Sequence, residues 1–202
     1  MEFFTFMIIF VVGGTFLVLA MSFAWGNAVI AELDAKLRRI PDFTPMISYK
    51  SPTEQNGIAL DLGREKIAII PNRLTQRQHA LEPLVYPFSD LIAVEVVRDG
   101  LSVVKTKRGS QLAGAAIGGV LLGPAGIIVG GLSGAKRQEN KIEKLSLKLY
   151  TNHLVLPVQE LVFCDLPRVG IDPKRAEHVI GELDQWYGRL RAIVERQNRV
   201  RN

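Results

Sequence analysis

Hydrophobic and polar positions follow a different rhythm in each stretch of the chain, and each rhythm predicts an element. From Phe3 to Ala24 no residue is charged, and about 22 residues at 1.5 Å rise give a helix of roughly 33 Å, enough to cross a hydrocarbon core of about 30 Å. Between Asn27 and Ile40 the residues Val29, Ile30, Leu33, Leu37 and Ile40 recur at three- and four-residue steps. The helix is therefore predicted to run on as an amphipathic stalk, lying on the headgroups or packing on the soluble part, until Pro41 ends it. A polar stretch with Pro45, Pro52 and Asn56 follows.

Strand patterns come next. Ile58 to Asp61 and Lys66 to Ile70 read as two short strands joined at Gly63-Arg64-Glu65, and Ile92 to Val97 with Leu101 to Lys105 form a hairpin around Asp99-Gly100. Leu145, Leu147 and Leu149 alternate with Ser146, Lys148 and Tyr150, and Thr151-Asn152-His153 turns this strand into Leu154 to Cys164, broken near Pro157. Asp172 as N-cap and Pro173 at N1 open a long helix on which Ala176, Ile180, Leu183, Trp186, Tyr187, Leu190 and Val194 make one apolar stripe. Such a helix must lie on the sheet. The reading is α+β: a transmembrane anchor over 1–25, a stalk over 26–41, a linker over 42–56, and an antiparallel β-barrel or sandwich of six or seven strands with its helix over 57–110 and 141–198.

The interruption, 111–136, is rich in glycine. Gly114 and Gly118, Gly119 and Gly123, then Gly126, Gly130 and Gly134 place small residues at four-residue steps on one helical face, where backbones pack closely in lipid. A single crossing would put the flanking strands on opposite sides of the membrane, so the block is predicted to be a helical hairpin that turns at Gly123-Pro124 and dips into one leaflet or packs on the domain. Gly13 and Gly14 offer a second close-packing face in the anchor.

Element order, the C-terminal helix and Trp186 resemble the pleckstrin-homology (PH) superfold in its bacterial form, over roughly Gly57 to Gln197 without the insertion. Tyr86-Pro87-Phe88-Ser89-Asp90-Leu91-Ile92, the zipper and Trp186-Tyr187, in that order, are similar to uncharacterised bacterial proteins that carry a glycine zipper inside a PH-like domain. The resemblance implies a platform for lipids, peptides or partner proteins, not an enzyme. PH domains that hold inositol phosphates carry clustered Lys and Arg around the loop joining their first two strands. Here that loop is read as holding only Arg64 and Lys66 around Glu65, which argues against specific phosphoinositide binding.

The net charge of +5 changes little, because its cations are dispersed and many flank the apolar blocks. Lys36, Arg38 and Arg39 follow the anchor, while Lys105, Lys107, Arg108, Lys136 and Arg137 bracket the zipper. These are candidate lipid headgroup contacts, and the positive-inside rule makes the predicted topology N-out with the domain in the cytoplasm, at a bacterial inner membrane. Nucleic acid is not an expected partner; the bilayer, a second copy or another membrane protein is. Met1-Glu2 lacks the positive start of a secretory signal. The lone Cys164 reads as a buried, inert thiol.

No chemistry-bearing motif emerges. Gly130 to Lys136 fails as a phosphate loop, no Gly-x-Ser-x-Gly occurs, and His79, His153 and His178 fall in separate elements without ligand spacing, so no metal or cofactor is expected. Asp61 with Glu65, and Glu177 with Glu182, read as surface charges. Two functions follow: a non-enzymatic scaffold presenting a PH-like domain at the membrane, or a zipper-driven oligomer that forms pores in defence or stress response.

Overall fold

The computed structural model describes residues 2–71, 82–107 and 141–201. Helix α1 spans Glu2–Arg38, uninterrupted because no proline occurs before Pro41. Its last bonds run from the Arg39 N–H to the Ala35 carbonyl (3.2 Å) and from the Ile40 N–H to the Leu37 carbonyl (3.4 Å).

Strands β1 (Ile47–Ser51), β2 (Asn56–Asp61), β3 (Lys66–Ile70) and β4 (Leu84–Pro87) form one antiparallel sheet in chain order. A 3-10 turn over Phe88–Asp90 leads to β5 (Leu91–Arg98), β6 (Leu101–Lys107), β7 (Lys144–Thr151) and β8 (Val158–Asp165), which form a second sheet ordered β6-β5-β7-β8. Helix α2 (Glu177–Arg201) closes the fold. The α+β sandwich is thus the predicted one, with eight described strands where six or seven were expected. The strands not read from the sequence are β4 and β1, the latter inside the stretch read as a linker. β1 is short. Its pairing of Ile47 with Leu60 and Ser51 with Asn56 fits between Pro45 and Pro52, which stay outside the ladder of this edge strand.

The apolar faces of both sheets meet the stripe of α2. Ile58, Leu60, Ile67 and Ile69 from the first sheet, Val94, Val96, Leu145, Leu147 and Phe163 from the second, and Leu183, Trp186 and Leu190 from α2 share one core. Asn56 Nδ2 donates to the Val162 carbonyl (3.0 Å) and ties the sheets together. Asp61 departs from its reading as a surface charge. It is buried, accepting from the Thr44 N–H (2.8 Å), the Arg64 N–H (2.9 Å) and Arg64 Nη1 (3.2 Å), and these bonds hold its pKa below the usual value. It organises the β2–β3 turn. Asp99 and Gly100 have φ of 50° and 82°, the left-handed pair that a two-residue hairpin turn requires.

Lys107 lies beside Ala93 at one end of β5, and Leu145 beside Arg98 at the other. The chain therefore enters and leaves 108–140 at opposite ends of one sheet, and its two bracketing strands stand on the same side of any membrane. The zipper glycines Gly114, Gly118, Gly119, Gly123, Gly126, Gly130 and Gly134, with Arg108, Lys136 and Arg137, lie outside the described residues.

The face of the second sheet turned away from α2 is polar. Glu95, 8% exposed, accepts from Lys105 Nζ (3.0 Å) and the Tyr150 hydroxyl, and Lys105 Nζ stands 3.7 Å from the Tyr150 ring centre. Burial pushes the Glu95 pKa up, but hydrogen bonds from Ser102, Tyr150 and Lys105 outweigh it and hold the carboxyl at about 2. Because the folded value lies below the ordinary 4.5, this contribution to stability is complete above pH 4.5 and is lost as pH falls towards 2. Glu95→Gln is expected to cost about 2 kcal/mol at neutral pH and to flatten the acid limb of the melting curve followed by circular dichroism in detergent. An unchanged acid limb contradicts this role.

Candidate functional site

The first part of the site is the exposed length of α1. Phe10, Phe16 and Phe23 are 83%, 74% and 74% exposed, and the helix is long and apolar enough to cross a membrane. Gly13 and Gly14 lie on this open surface, where a Cβ on either would meet nothing within 4 Å. Gly14 leaves a shallow apolar notch bordered by Phe10, Thr15 and Val18.

Past Ala24 the same helix becomes part of the domain. Leu33 and Leu37 are buried against Ala59, Ala68 and Ile70, Phe43 closes the cluster, and Val29 and Ile40 pack at its margin. Ala59 and Ala68 are cross-strand partners on β2 and β3, and two methyl groups facing each other admit a helix at close range. Lys50 Nζ reaches Asp34 Oδ1 at 2.5 Å, and Lys36 pairs with Glu32 at 2.9 Å. Of the two predicted fates of the stalk, packing on the domain is the one observed.

Lys36, Arg38 and Arg39 lie about 18 to 22 Å along the chain from Ala24. Lys105 is engaged by Glu95, and Lys107 ends β6. The β1–β2 turn lies beside the helix just past Trp25: a Cβ on Gly26 would stand 4.0 Å from Pro52 Cβ. That turn, Pro52-Thr53-Glu54-Gln55, is the loop joining the first two strands and contains no cation, whereas the loop holding Arg64 joins β2 to β3. Burial raises the Glu54 pKa, with Asp165 adding to the rise.

Away from the anchor, Ile47, Leu60, Leu62 and Phe88 face Ala192 and Ile193 of α2 across a groove of about 250 Å³. Arg189 and Arg196 stand on its rim, and Arg196 pairs with Glu65 at 3.0 Å. Sequence reasoning missed this groove because its residues come from separate elements, and only the exposed Leu62 beside the Gly63 turn signals it. The β7–β8 turn carries Leu154 and Val155, 98% and 79% exposed, and His153 Nδ1 accepts the Leu156 N–H (3.0 Å), a turn-forming role. Among the described residues no three His, Cys, Asp or Glu side chains converge as a metal site would.

The small residues under the stalk generate a direct prediction. Ala68→Leu overfills the buried seam and is expected to cost about 1 to 3 kcal/mol, read as faster hydrogen exchange of residues 29–40 while β7 and β8 keep their protection. Equal exchange in both proteins contradicts the docking.

Residues 46–165 match the model of a family described as glycine zipper containing PH domain, which is more than half of the chain. The Immunity protein of Bacillus phage SPbeta is 25% identical over 136 residues, covering 63% of this chain and 65% of that protein. The SPbeta prophage-derived uncharacterized membrane protein YomJ of Bacillus subtilis is also 25% identical over 136 residues, covering 63% and 58%. The chain spans less than two thirds of the length of these relatives. No solved structure matches it. The matched interval runs from just before β1 to the end of β8 and so takes in both sheets and the glycine-rich block between β6 and β7: the chain belongs to the glycine zipper containing PH domain family.

Proposed function

We propose that this protein is a non-enzymatic binding module, held by α1 at the cytoplasmic face of a bacterial inner membrane and acting in immunity. The observation that carries the reading is the seam of Leu33 and Leu37 on Ala59 and Ala68, which makes the apolar helix and the PH-like domain one body. A domain meant only to be tethered has no use for such a seam, whereas a platform that meets its partner at the bilayer gains a fixed orientation. The groove between α2 and the first sheet, apolar inside and rimmed by Arg189 and Arg196, supplies a surface suited to an apolar segment with acidic groups. The name Immunity protein, carried by one relative, supports the biological setting, and the cations at the C-terminal end of α1 support the orientation.

A second reading, assembly of several copies in the membrane, is favoured by the open surface at Gly13 and Gly14, since small residues let transmembrane helices approach closely. The two are compatible, as a platform is free to work in several copies.

The test is a challenge of Bacillus subtilis, cured of its prophage, with Bacillus phage SPbeta. Cells expressing the full chain are expected to give fewer plaques than cells with the empty vector. Removal of residues 1–25 is expected to abolish the effect, and Leu62→Asp to weaken it at equal protein level. Protection that persists without the anchor, or no protection from the full chain, contradicts the proposal.

A further inference from the structure

The continuity of α1 fixes which end of the domain meets the bilayer. Gly26 lies two residues past Ala24, about 3 Å along the axis, and a Cβ there would stand 4.0 Å from Pro52 Cβ, so with α1 spanning the bilayer the β1–β2 turn stands at headgroup depth. The neighbouring loops are bonded to that turn in sequence. The Asp165 N–H donates to the Glu54 carboxylate, the Leu166 N–H donates to the Glu143 carbonyl (2.7 Å), and the Glu143 and Lys144 N–H groups donate to Asp99 Oδ1 (both 2.8 Å). The loop between β8 and α2, the start of β7 and the tip of the β5–β6 hairpin therefore stand side by side at the end from which α1 emerges.

Large apolar side chains are open at this end: Leu166 is 40% exposed, Val169 68% and, on the hairpin tip, Leu101 66%. Arg168, between the first two, is exposed as well. Carboxylates also stand at this end: Asp99 accepts from two backbone amides, Asp172 from the Lys174 N–H at 2.8 Å, and Asp165 and Glu143 are exposed, so the contact rests on the open apolar side chains and Arg168. Exposed apolar residues beside a cation, held at headgroup depth by a covalent anchor, have a partner already specified by geometry.

We infer that the β8–α2 loop is a second membrane contact, in which Leu166 and Val169 enter the headgroup layer of the bilayer that α1 crosses and Arg168 meets lipid phosphate. The inference rests on reading α1 as a spanning helix and holds for either orientation of the chain. It also gives the seam a consequence, because a body fixed at two points on the surface loses rotational freedom that a single helix leaves open.

Leu154 and Val155 provide an internal control. They are equally apolar and more exposed, but lie at the far end of β7 and β8, roughly 25 Å away for strands of this length. The experiment uses the full chain with Cys164→Ala, reconstituted in phosphatidylcholine–phosphatidylglycerol vesicles. An environment-sensitive fluorophore is attached at Val169→Cys or Leu154→Cys, and quenching by nitroxide-labelled lipid is measured. Both labels sit on open surface, and circular dichroism checks that each protein keeps its fold. Quenching at Val169 is expected to exceed that at Leu154 about five-fold; equal quenching, or stronger quenching at Leu154, overturns the inference. An alkaline wash of the same vesicles separates the two levels of the argument. Protein that washes off defeats the spanning reading itself, while protein that stays with an unquenched Val169 defeats only the second contact.

Discussion

One apolar seam decides what kind of molecule this is. Leu33 and Leu37 descend from an exposed helix and lie down on Ala59, Ala68 and Ile70. Without that contact the chain would be a sandwich domain on a string, free to sample any orientation below its anchor. With it, the rise of a single helix becomes a ruler for the whole molecule: the β1–β2 turn stands beside Gly26, the stalk cations lie farther along the helix, and the groove beside α2 opens away from that turn. The cost of the arrangement is a sheet face given up to a helix, and the two alanines are the sequence signature of that exchange.

The polar contacts follow the same division of labour. Asp61 is spent on a turn and Glu95 on holding Lys105 and Tyr150 across the second sheet. Both carboxyls are held below their ordinary pKa by donors that the fold supplies, so both belong to the framework. Arg189 and Arg196 are different, since they stand at the mouth of an apolar groove, Arg196 paired with Glu65 and Arg189 donating to Gln185. The proposed binding role would use one surface of that kind, and this one faces away from the anchor.

Much of this was legible in the sequence because the signals were periodic. The uncharged run, the three- and four-residue stalk steps, the Asp99-Gly100 hairpin and the stripe from Ala176 to Val194 each follow from one repeat, and each lies where it was read. The misses share a different cause. β1 is five residues between two prolines, too short for a period to stand out against Pro45 and Pro52. Asp61 looks like any turn acid until Thr44 and Arg64 are folded back onto it. The groove and the β8–α2 loop are assembled from elements far apart in the chain, and no local pattern announces them.

The claim that anchor and domain are one body is tested most directly by a distance. With spin labels at Ala31→Cys on the stalk and Leu154→Cys on the far turn, in a Cys164→Ala chain reconstituted in bilayers, pulsed electron–electron resonance is expected to give a single narrow distance distribution. A broad distribution, the mark of a domain swinging on its tether, contradicts the account.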